Sequence, residues 1–173
     1  SMLHRIALFI ALFSFSSLTF AVEVGDIAPP FEGVDEVCAN VSFPAVIDGK
    51  PTVMVFWATW CPYCKAFMPF LEDIQKDYGT DKINVVLINH KERGAGDPAT
   101  YTKTLNFEQV SVMEGDSIGD AYSVDFIPGL MIAGADGRIA WKRKSTDLPA
   151  GQKVGEFWDM KVREQLDKML VAN

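Results

Sequence analysis

Residues 52–65 read TVMVFWATWCPYCK, and this stretch decides the fold. Residues 52–58 form an almost unbroken run of β-branched and aromatic side chains, which predicts a central strand buried on both faces. Cys61 and Cys64 follow that strand. Apolar residues then recur at helical spacing until Gly79, which predicts a helix over this region. The members of its apolar stripe are Phe67, Phe70, Leu71, Ile74 and Tyr78.

The cysteine pair lies at the junction between the predicted strand and the predicted helix, and this position favours a reactive thiol. A thiol carries out redox chemistry as its thiolate, and the amides and dipole of a helix N-terminus stabilise an anion. Cys61 is expected at that terminus, with Pro62 in the first turn. Cys64 falls on the same helical face within bonding distance. We therefore expect Cys61 to attack and Cys64 to resolve the mixed disulfide.

Other uses of the cysteines are weaker. The chain has three, Cys38, Cys61 and Cys64, and no second C-x-x-C or C-x-x-H completes a zinc site. A structural disulfide across so short a loop would stabilise little. We expect a redox dithiol with neither a metal nor an organic cofactor.

The elements around this unit alternate in an α/β pattern. Residues 83–89 predict a second buried strand, joined to the first by a right-handed parallel crossover. The later predicted elements are a helix over residues 97–106, a short strand over 109–113, a helix over 116–122, a hairpin of residues 130–133 and 138–142 around the turn 134–137, and a helix over 154–170. The apolar face of the last helix is expected at Phe157, Met160, Leu166 and Leu170.

Residues 56–65 resemble the active-site segment of the thioredoxin superfamily, most closely its exported TlpA/ResA/DsbE branch. Pro69 stands at the helix-kinking proline of that superfamily. Residues 25–31 resemble the branch's N-terminal motif, and residues 91–113 fit its helical insertion. The resemblance implies a thioredoxin-like mixed central sheet flanked by helices. It also implies an extra N-terminal extended segment and a helical insertion before the cis-proline half.

The resemblance further assigns a substrate-binding surface. Ile127 and Pro128 stand where the family places its cis-proline beside the dithiol, and the alternative is an ordinary trans proline before a strand. By analogy, Ile127 and Pro128 bind substrate together with Trp60, Pro62 and Tyr63.

Two positions depart from the family pattern. Val55 stands where thioredoxin has a buried acid, and Phe67 stands where reductants of cytochrome c maturation often have a glutamate. Without a carboxylate, Cys64 lacks an evident base. This disfavours the cytochrome c reductant role and favours a general disulfide exchanger or oxidant. A copper(I) chaperone using both thiols with His90 or Met68 is a further alternative, and a peroxidase is disfavoured by the local spacing.

Single residues outside the dithiol carry smaller expectations. Cys38 is expected to be small, buried and inert, with a redox partnership with Cys61 or an intermolecular disulfide as alternatives. His90 is expected to be a partly exposed loop histidine, with a role as base or copper ligand as the alternative. Trp57 is expected in the core and Trp60 at the surface, and these two with Tyr63 and Phe126 would form an apolar collar around the dithiol.

Charge and the N-terminus bear on partners and location. The net charge is −7 and no basic cluster exceeds residues 142–144, which excludes a nucleic-acid partner. Residues 1–21 comprise a leading tag residue, Ser1, and a short apolar run. They predict a cleavable signal peptide, with a retained anchor or a buried helix as alternatives. We expect residues 22–173 to form one monomeric domain in the periplasm that acts on protein thiols and disulfides together with a periplasmic or membrane redox partner. Membrane attachment is expected only if the leader stays uncleaved.

Overall fold

The computed structural model describes residues 21–144 and 148–171. Its central sheet has five strands in the order β5-β4-β3-β6-β7, and a separate two-stranded sheet pairs β1 with β2. The strands are β1 (Phe31–Val34), β2 (Asn40–Phe43), β3 (Thr52–Trp57), β4 (Asn84–Asn89), β5 (Val110–Val112), β6 (Gly129–Ala133) and β7 (Ile139–Lys142). The helices are α1 (Pro62–Tyr78), α2 (Pro98–Thr102), α3 (Asp116–Ala121) and α4 (Val154–Val171), with a short 3-10 helix at Ala45–Ile47.

Strand β3 lies in the middle of the central sheet. It pairs in parallel with β4, with Trp57 opposite Asn89, and antiparallel with β6, with Phe56 opposite Gly129. All its side chains are buried, because both faces of the sheet are covered. The predicted buried strand and parallel crossover are therefore confirmed. The C-terminal ends of β3 and β4 and the start of β6 meet at one edge of the sheet.

Helix α1 follows β3 and covers one face of the sheet. Phe67, Leu71 and Ile74 are fully buried, as the apolar stripe predicted. Pro69 lies inside the helix, which ends where Gly79 takes φ 95° and its amide donates to the Gln75 carbonyl. Helix α4 packs beside α1, so this face of the core is built from both helices and the sheet.

The other face of the sheet is covered by the N-terminal segment and α3. Phe31 stacks on Phe43 at 5.2 Å between ring centroids, and Tyr122 packs edge-on against both. The chain before β1 runs beside β7, where the Gly25 amide donates to the Ile139 carbonyl. The predicted N-terminal extension is thus an extended segment followed by the β1–β2 hairpin.

Helix α2 is shorter than predicted. It starts at the expected cap, Asp97, whose side chain accepts from the Thr100 amide, but it ends at Thr102 instead of residue 106. The hydroxyls of Thr102 and Thr104 donate to the carbonyls of Ala99 and Tyr101. Such local side-chain bonds compete with helix propagation and end the helix early.

Helix α4 forms over the predicted range, and three of its four predicted apolar positions face the core: Leu166 is buried, and Phe157 and Leu170 are half-buried against it. Trp158 and Val162 are buried as well, whereas Met160 is 44% exposed. The prediction for Met160 was wrong because Trp158, Val162 and Leu166, spaced four residues apart, lie on one side of the helix and form its buried face. Met160 lies outside that face. Within the described residues, no helix is long and apolar enough to cross a membrane. Residues 1–20, which carry the predicted leader, lie outside the described part of the chain.

Candidate active site

Cys61 is the N-cap of helix α1. Its backbone is extended, with φ −87° and ψ 106°, and its sulfur accepts a hydrogen bond from the Cys64 amide at 3.1 Å. The two cysteines are joined by a disulfide with a Cα–Cα distance of 5.3 Å. Cys61 is 3% exposed and Cys64 is fully buried. The sequence therefore located the pair and its helix terminus correctly.

The surroundings of the dithiol are apolar on the side of α1. Val55 and Phe67, the two positions that depart from the family pattern, are fully buried in the same cluster as Cys61 and Cys64. A charge in such surroundings is destabilised by the loss of water. Cys64 therefore has valine and phenylalanine in its cluster at the two positions where the family pattern has a carboxylate.

The Ile127–Pro128 peptide bond is cis, as the resemblance implied. The β3–β6 register ends with Gly129 opposite Phe56, so Pro128 lies next to the end of β3 that leads to Cys61. Ile127 is half-buried against the cluster that contains the dithiol, and the Pro128 carbonyl accepts from Arg143 Nη1 at 2.5 Å. A second cis bond, Phe43–Pro44, was not predicted.

The four aromatic residues of the predicted collar divide into two groups. Trp57 is fully buried, with its ring centroid 5.1 Å from that of Tyr101, so it belongs to the core. Trp60 is half-buried, Tyr63 is 60% exposed and Phe126 is 41% exposed. Pro62, at the start of α1, is exposed as well. Three of the aromatic residues therefore offer apolar surface to solvent near the dithiol.

Glu92 holds the loop that precedes Cys61, and sequence reasoning missed it. Its carboxylate accepts from the Thr59 amide at 2.9 Å, from the Thr59 hydroxyl at 2.6 Å and from Asn89 Nδ2 at 2.9 Å. Burial raises the pKa of Glu92, but the hydrogen bonds from Thr59 and Asn89 outweigh it, and the pKa lies below its ordinary value. An ionised carboxylate therefore fixes Thr59, two residues before Cys61.

Arg93 lies over the ring of Trp60, with Cζ 3.5 Å from the ring centroid. The signal for residues 91–93 was available, since polar residues just after a parallel strand often serve a ligand site.

His90 is buried, which contradicts the expected half-exposed loop histidine. It is 1% exposed, its Nδ1 lies 3.2 Å from Asp116 Oδ1, and its Nε2 lies 3.3 Å from the Val124 carbonyl. Its ring packs against Phe56, in the cluster on the sheet face opposite α1. The loop folds inward because α3 presents Gly119, which leaves room for the imidazole.

Cys38 is exposed, and the expectation of a buried cysteine was wrong. It lies in the turn between β1 and β2 with φ 62° and is a free thiol. The turn is stabilised by the Asp35 carboxylate, which accepts from the amides of Val37 and Ala39. A tight turn held by backbone bonds projects its side chains into solvent.

A mixed sheet that carries a C-x-x-C disulfide at a strand-to-helix junction beside a cis-proline defines a thioredoxin-like thiol–disulfide oxidoreductase. The chain belongs to the AhpC/TSA family, whose sequence profile matches residues 24–142.

Named relatives agree with this class. The chain is 36% identical over 72 residues to the thiol-disulfide oxidoreductase ResA of Oceanobacillus iheyensis, a match that covers 38% of this chain and only 36% of that protein. It is 27% identical over 128 residues to the thioredoxin-like protein YneN of Bacillus subtilis, covering 73% of this chain and 74% of that protein.

The fold is also that of a solved structure described as a thiol:disulfide interchange protein DsbE from Chlorobium tepidum. The TM-score is 0.68 at 20% identity, and the match covers 84% of this chain and 99% of the other. The predicted thioredoxin-like fold is confirmed.

Proposed function

We propose that this protein exchanges disulfides with protein substrates in the cell envelope, with Cys61 as the attacking thiol and Cys64 as the resolving thiol. The observation that carries the proposal is the position of Cys61 as N-cap of α1, with Cys64 already bonded to it. The N-terminal end of a helix stabilises the thiolate that must attack the substrate disulfide.

The exchange balances in two steps. In the reduced protein the Cys61 thiolate attacks one sulfur of a substrate disulfide, and the other substrate sulfur leaves as a thiolate. The substrate thiolate released in the first step accepts the Cys64 proton, and the Cys64 sulfur then attacks the Cys61 sulfur, which releases the second substrate sulfur as a thiolate. The substrate gains two electrons and the Cys61–Cys64 disulfide forms. The reverse sequence oxidises a substrate dithiol.

The apolar environment of Cys64 supports a general exchanger over a reductant of cytochrome c maturation. Val55 and Phe67 provide no proton acceptor next to the buried sulfur. Direction follows from the reduction potential, which runs from about −270 to about −120 mV in this fold. A titration of the pair against glutathione assigns the protein to one end of that range.

The surface that receives substrate is proposed at Ile127, Pro128, Trp60, Pro62 and Tyr63. Ile127 packs against the dithiol cluster, and Trp60 and Tyr63 expose aromatic area beside it. The cell-envelope location rests on the short apolar run within residues 1–21, proposed as a signal peptide or anchor.

The test is a trap for the mixed disulfide. Because Cys38 is an exposed free thiol that can form adducts of its own, the trap is built in a Cys38→Ser background. The reduced Cys64→Ala variant is mixed with a peptide that contains one disulfide, and the product is weighed by mass spectrometry. We expect a covalent adduct on Cys61 that dithiothreitol reverses, and none with the Cys61→Ala control. Absence of the adduct in the Cys64→Ala variant would reject the proposal.

A further inference from the structure

Lys91 connects three parts of the candidate active site. It follows β4 by two residues and takes φ 59°, a left-handed conformation that non-glycine residues seldom adopt. Its amide donates to Asp116 Oδ1 at 2.7 Å, its carbonyl accepts from Trp60 Nε1 at 2.7 Å, and its Nζ donates to the Asp125 carbonyl at 2.6 Å. One residue thus contacts the start of α3, the tryptophan next to Cys61 and the loop that leads to Pro128.

The neighbours of Lys91 fix its position. Glu92 accepts hydrogen bonds from Thr59, and Arg93 covers the ring of Trp60. Gly96 packs so closely on Thr59 that a Cβ at this position would lie 1.8 Å from the Thr59 hydroxyl oxygen. The segment 91–96 is therefore held against the loop before Cys61, and the backbone of Lys91 has a fixed position. From this position the Lys91 side chain extends to the loop 125–128 and donates to the Asp125 carbonyl.

We propose that Lys91 is a positioning residue that sets the distance between Trp60 and the loop 125–128. The proposal rests on the proposed function, because it assumes that a substrate chain lies between these two, in the space that we call the substrate groove. The backbone of Lys91 holds Trp60 on one side, and its ammonium group holds the Asp125 carbonyl on the other.

The chemistry of exchange makes the width of the groove important for a polypeptide substrate. The substrate must bring a disulfide sulfur in line with the Cys61 sulfur while its backbone lies along Ile127. A displacement of about 1 Å in such an arrangement can lower a rate about 100-fold. A small disulfide reaches Cys61 without contacting the loop 125–128, so it does not depend on the groove.

The side chain of Lys91 is therefore expected to matter for peptides and not for small disulfides. Replacing it with methionine keeps the length of the side chain and removes the bond to Asp125. The loop 125–128, with the 41% exposed Phe126, then loses its tether to residue 91. Replacing it with arginine preserves a cationic donor.

The experiment compares two substrates in the Cys38→Ser background, with Lys91→Met and Lys91→Arg as the test variants. The substrates are an uncharged peptide with one disulfide and the neutral 2-hydroxyethyl disulfide. Glutathione in excess returns the Cys61–Cys64 pair to its reduced form after each turnover, and the rate without protein is subtracted. Lys50→Met is the matched control, because Lys50 also donates from an exposed Nζ to a backbone carbonyl, that of Thr80, but lies before β3 at the opposite edge of the sheet. Urea unfolding midpoints establish that every variant is folded.

We expect Lys91→Met to lower kcat/KM for the peptide about 10-fold, mainly by raising KM. A change of this size corresponds to the loss of one hydrogen bond of ordinary strength, here the bond from Lys91 to Asp125. The rate with 2-hydroxyethyl disulfide should stay within about 2-fold, and Lys91→Arg should recover most of the peptide rate. Lys50→Met should match the parent protein with both substrates.

Two results would overturn the role of Lys91: an unchanged peptide rate in Lys91→Met, or an equal fall for both substrates. A parent protein that reacts with 2-hydroxyethyl disulfide but not with the peptide would instead reject the proposed function itself.

Discussion

Glu92 is the residue whose charge has the clearest consequence for the loop before Cys61. Its carboxylate accepts three hydrogen bonds, two from Thr59 and one from Asn89. Because these bonds place the pKa of Glu92 below its ordinary value, they favour folding at a pH above about 4.3, the value in an unfolded chain. That contribution is lost as the pH falls through the lower pKa of the folded protein.

We expect Glu92→Gln to lower the free energy of unfolding by about 1 kcal/mol at pH 7, after allowing for solvent screening of a partly exposed group. The amide nitrogen of glutamine would face a donor from Thr59 or Asn89 in place of an acceptor. The difference from the parent protein should shrink as the pH falls below about 4.3 and the parent carboxyl takes up its proton. Urea unfolding at a series of pH values from 7 downwards measures it.

Glu164→Gln is the control for this prediction. Glu164 is also a carboxylate with a lowered pKa, held there by hydrogen bonds from Lys168 and Lys161, but it is fully exposed on α4. Its loss should leave the unfolding midpoint nearly unchanged. A Glu92→Gln difference that does not change as the carboxyl is titrated with acid would contradict the assigned charge.

The dithiol was predictable, whereas the side-chain contacts that hold the loop before it were not. Cys61 and Cys64 are adjacent in sequence to the strand and helix that place them, so their spacing carries the information. Glu92 and Lys91 act on Thr59, Trp60 and Asp125 across more than thirty residues of sequence. Nothing in one sequence pairs such distant positions, and the inward fold of His90 depends on the same tertiary contact with α3.

Helix α4 illustrates the same limit at the scale of an element. Its range was predicted from apolar content, but its orientation depends on which residues α1 and the sheet leave room for. Trp158 packs edge-on against Phe67, with ring centroids 5.8 Å apart, and this contact turns Val162 and Leu166 inward. The sequence alone offered Met160 as an equally good apolar candidate.

Two conservative truncations distinguish the faces of α4. Val162 is fully buried, so Val162→Ala should lower the free energy of unfolding by about 2 kcal/mol through lost burial and a residual cavity. Met160→Ala should cost less than about 0.5 kcal/mol, because the side chain is already partly hydrated in the folded protein and alanine favours a helix. Urea unfolding of the oxidised protein measures both. Equal costs would mean that Met160, as predicted from sequence, also packs against the core.

At the scale of the whole molecule, the N-terminal segment closes one side of the core. Val22, Ala28 and Phe31 are buried in the cluster with Phe56 and Tyr122. The Tyr122 hydroxyl donates to the Pro29 carbonyl at 2.7 Å, and backbone bonds join the segment to β7. The segment is therefore part of the domain, and the proposed boundary after residue 21 can be tested by truncation.

We expect a chain that starts at residue 22 to unfold at the same urea concentration as the full chain, within about 0.5 kcal/mol, if residues 1–21 are a leader that adds no contact to the core. A chain that starts at residue 32 should lose more than about 4 kcal/mol, because the loss of Phe31 alone exposes the ring of Phe43 and leaves a cavity beside Tyr122. With a total stability of about 5–15 kcal/mol, such a chain is close to unfolded. A large loss on removing only residues 1–21 would instead make them a structural part of the domain.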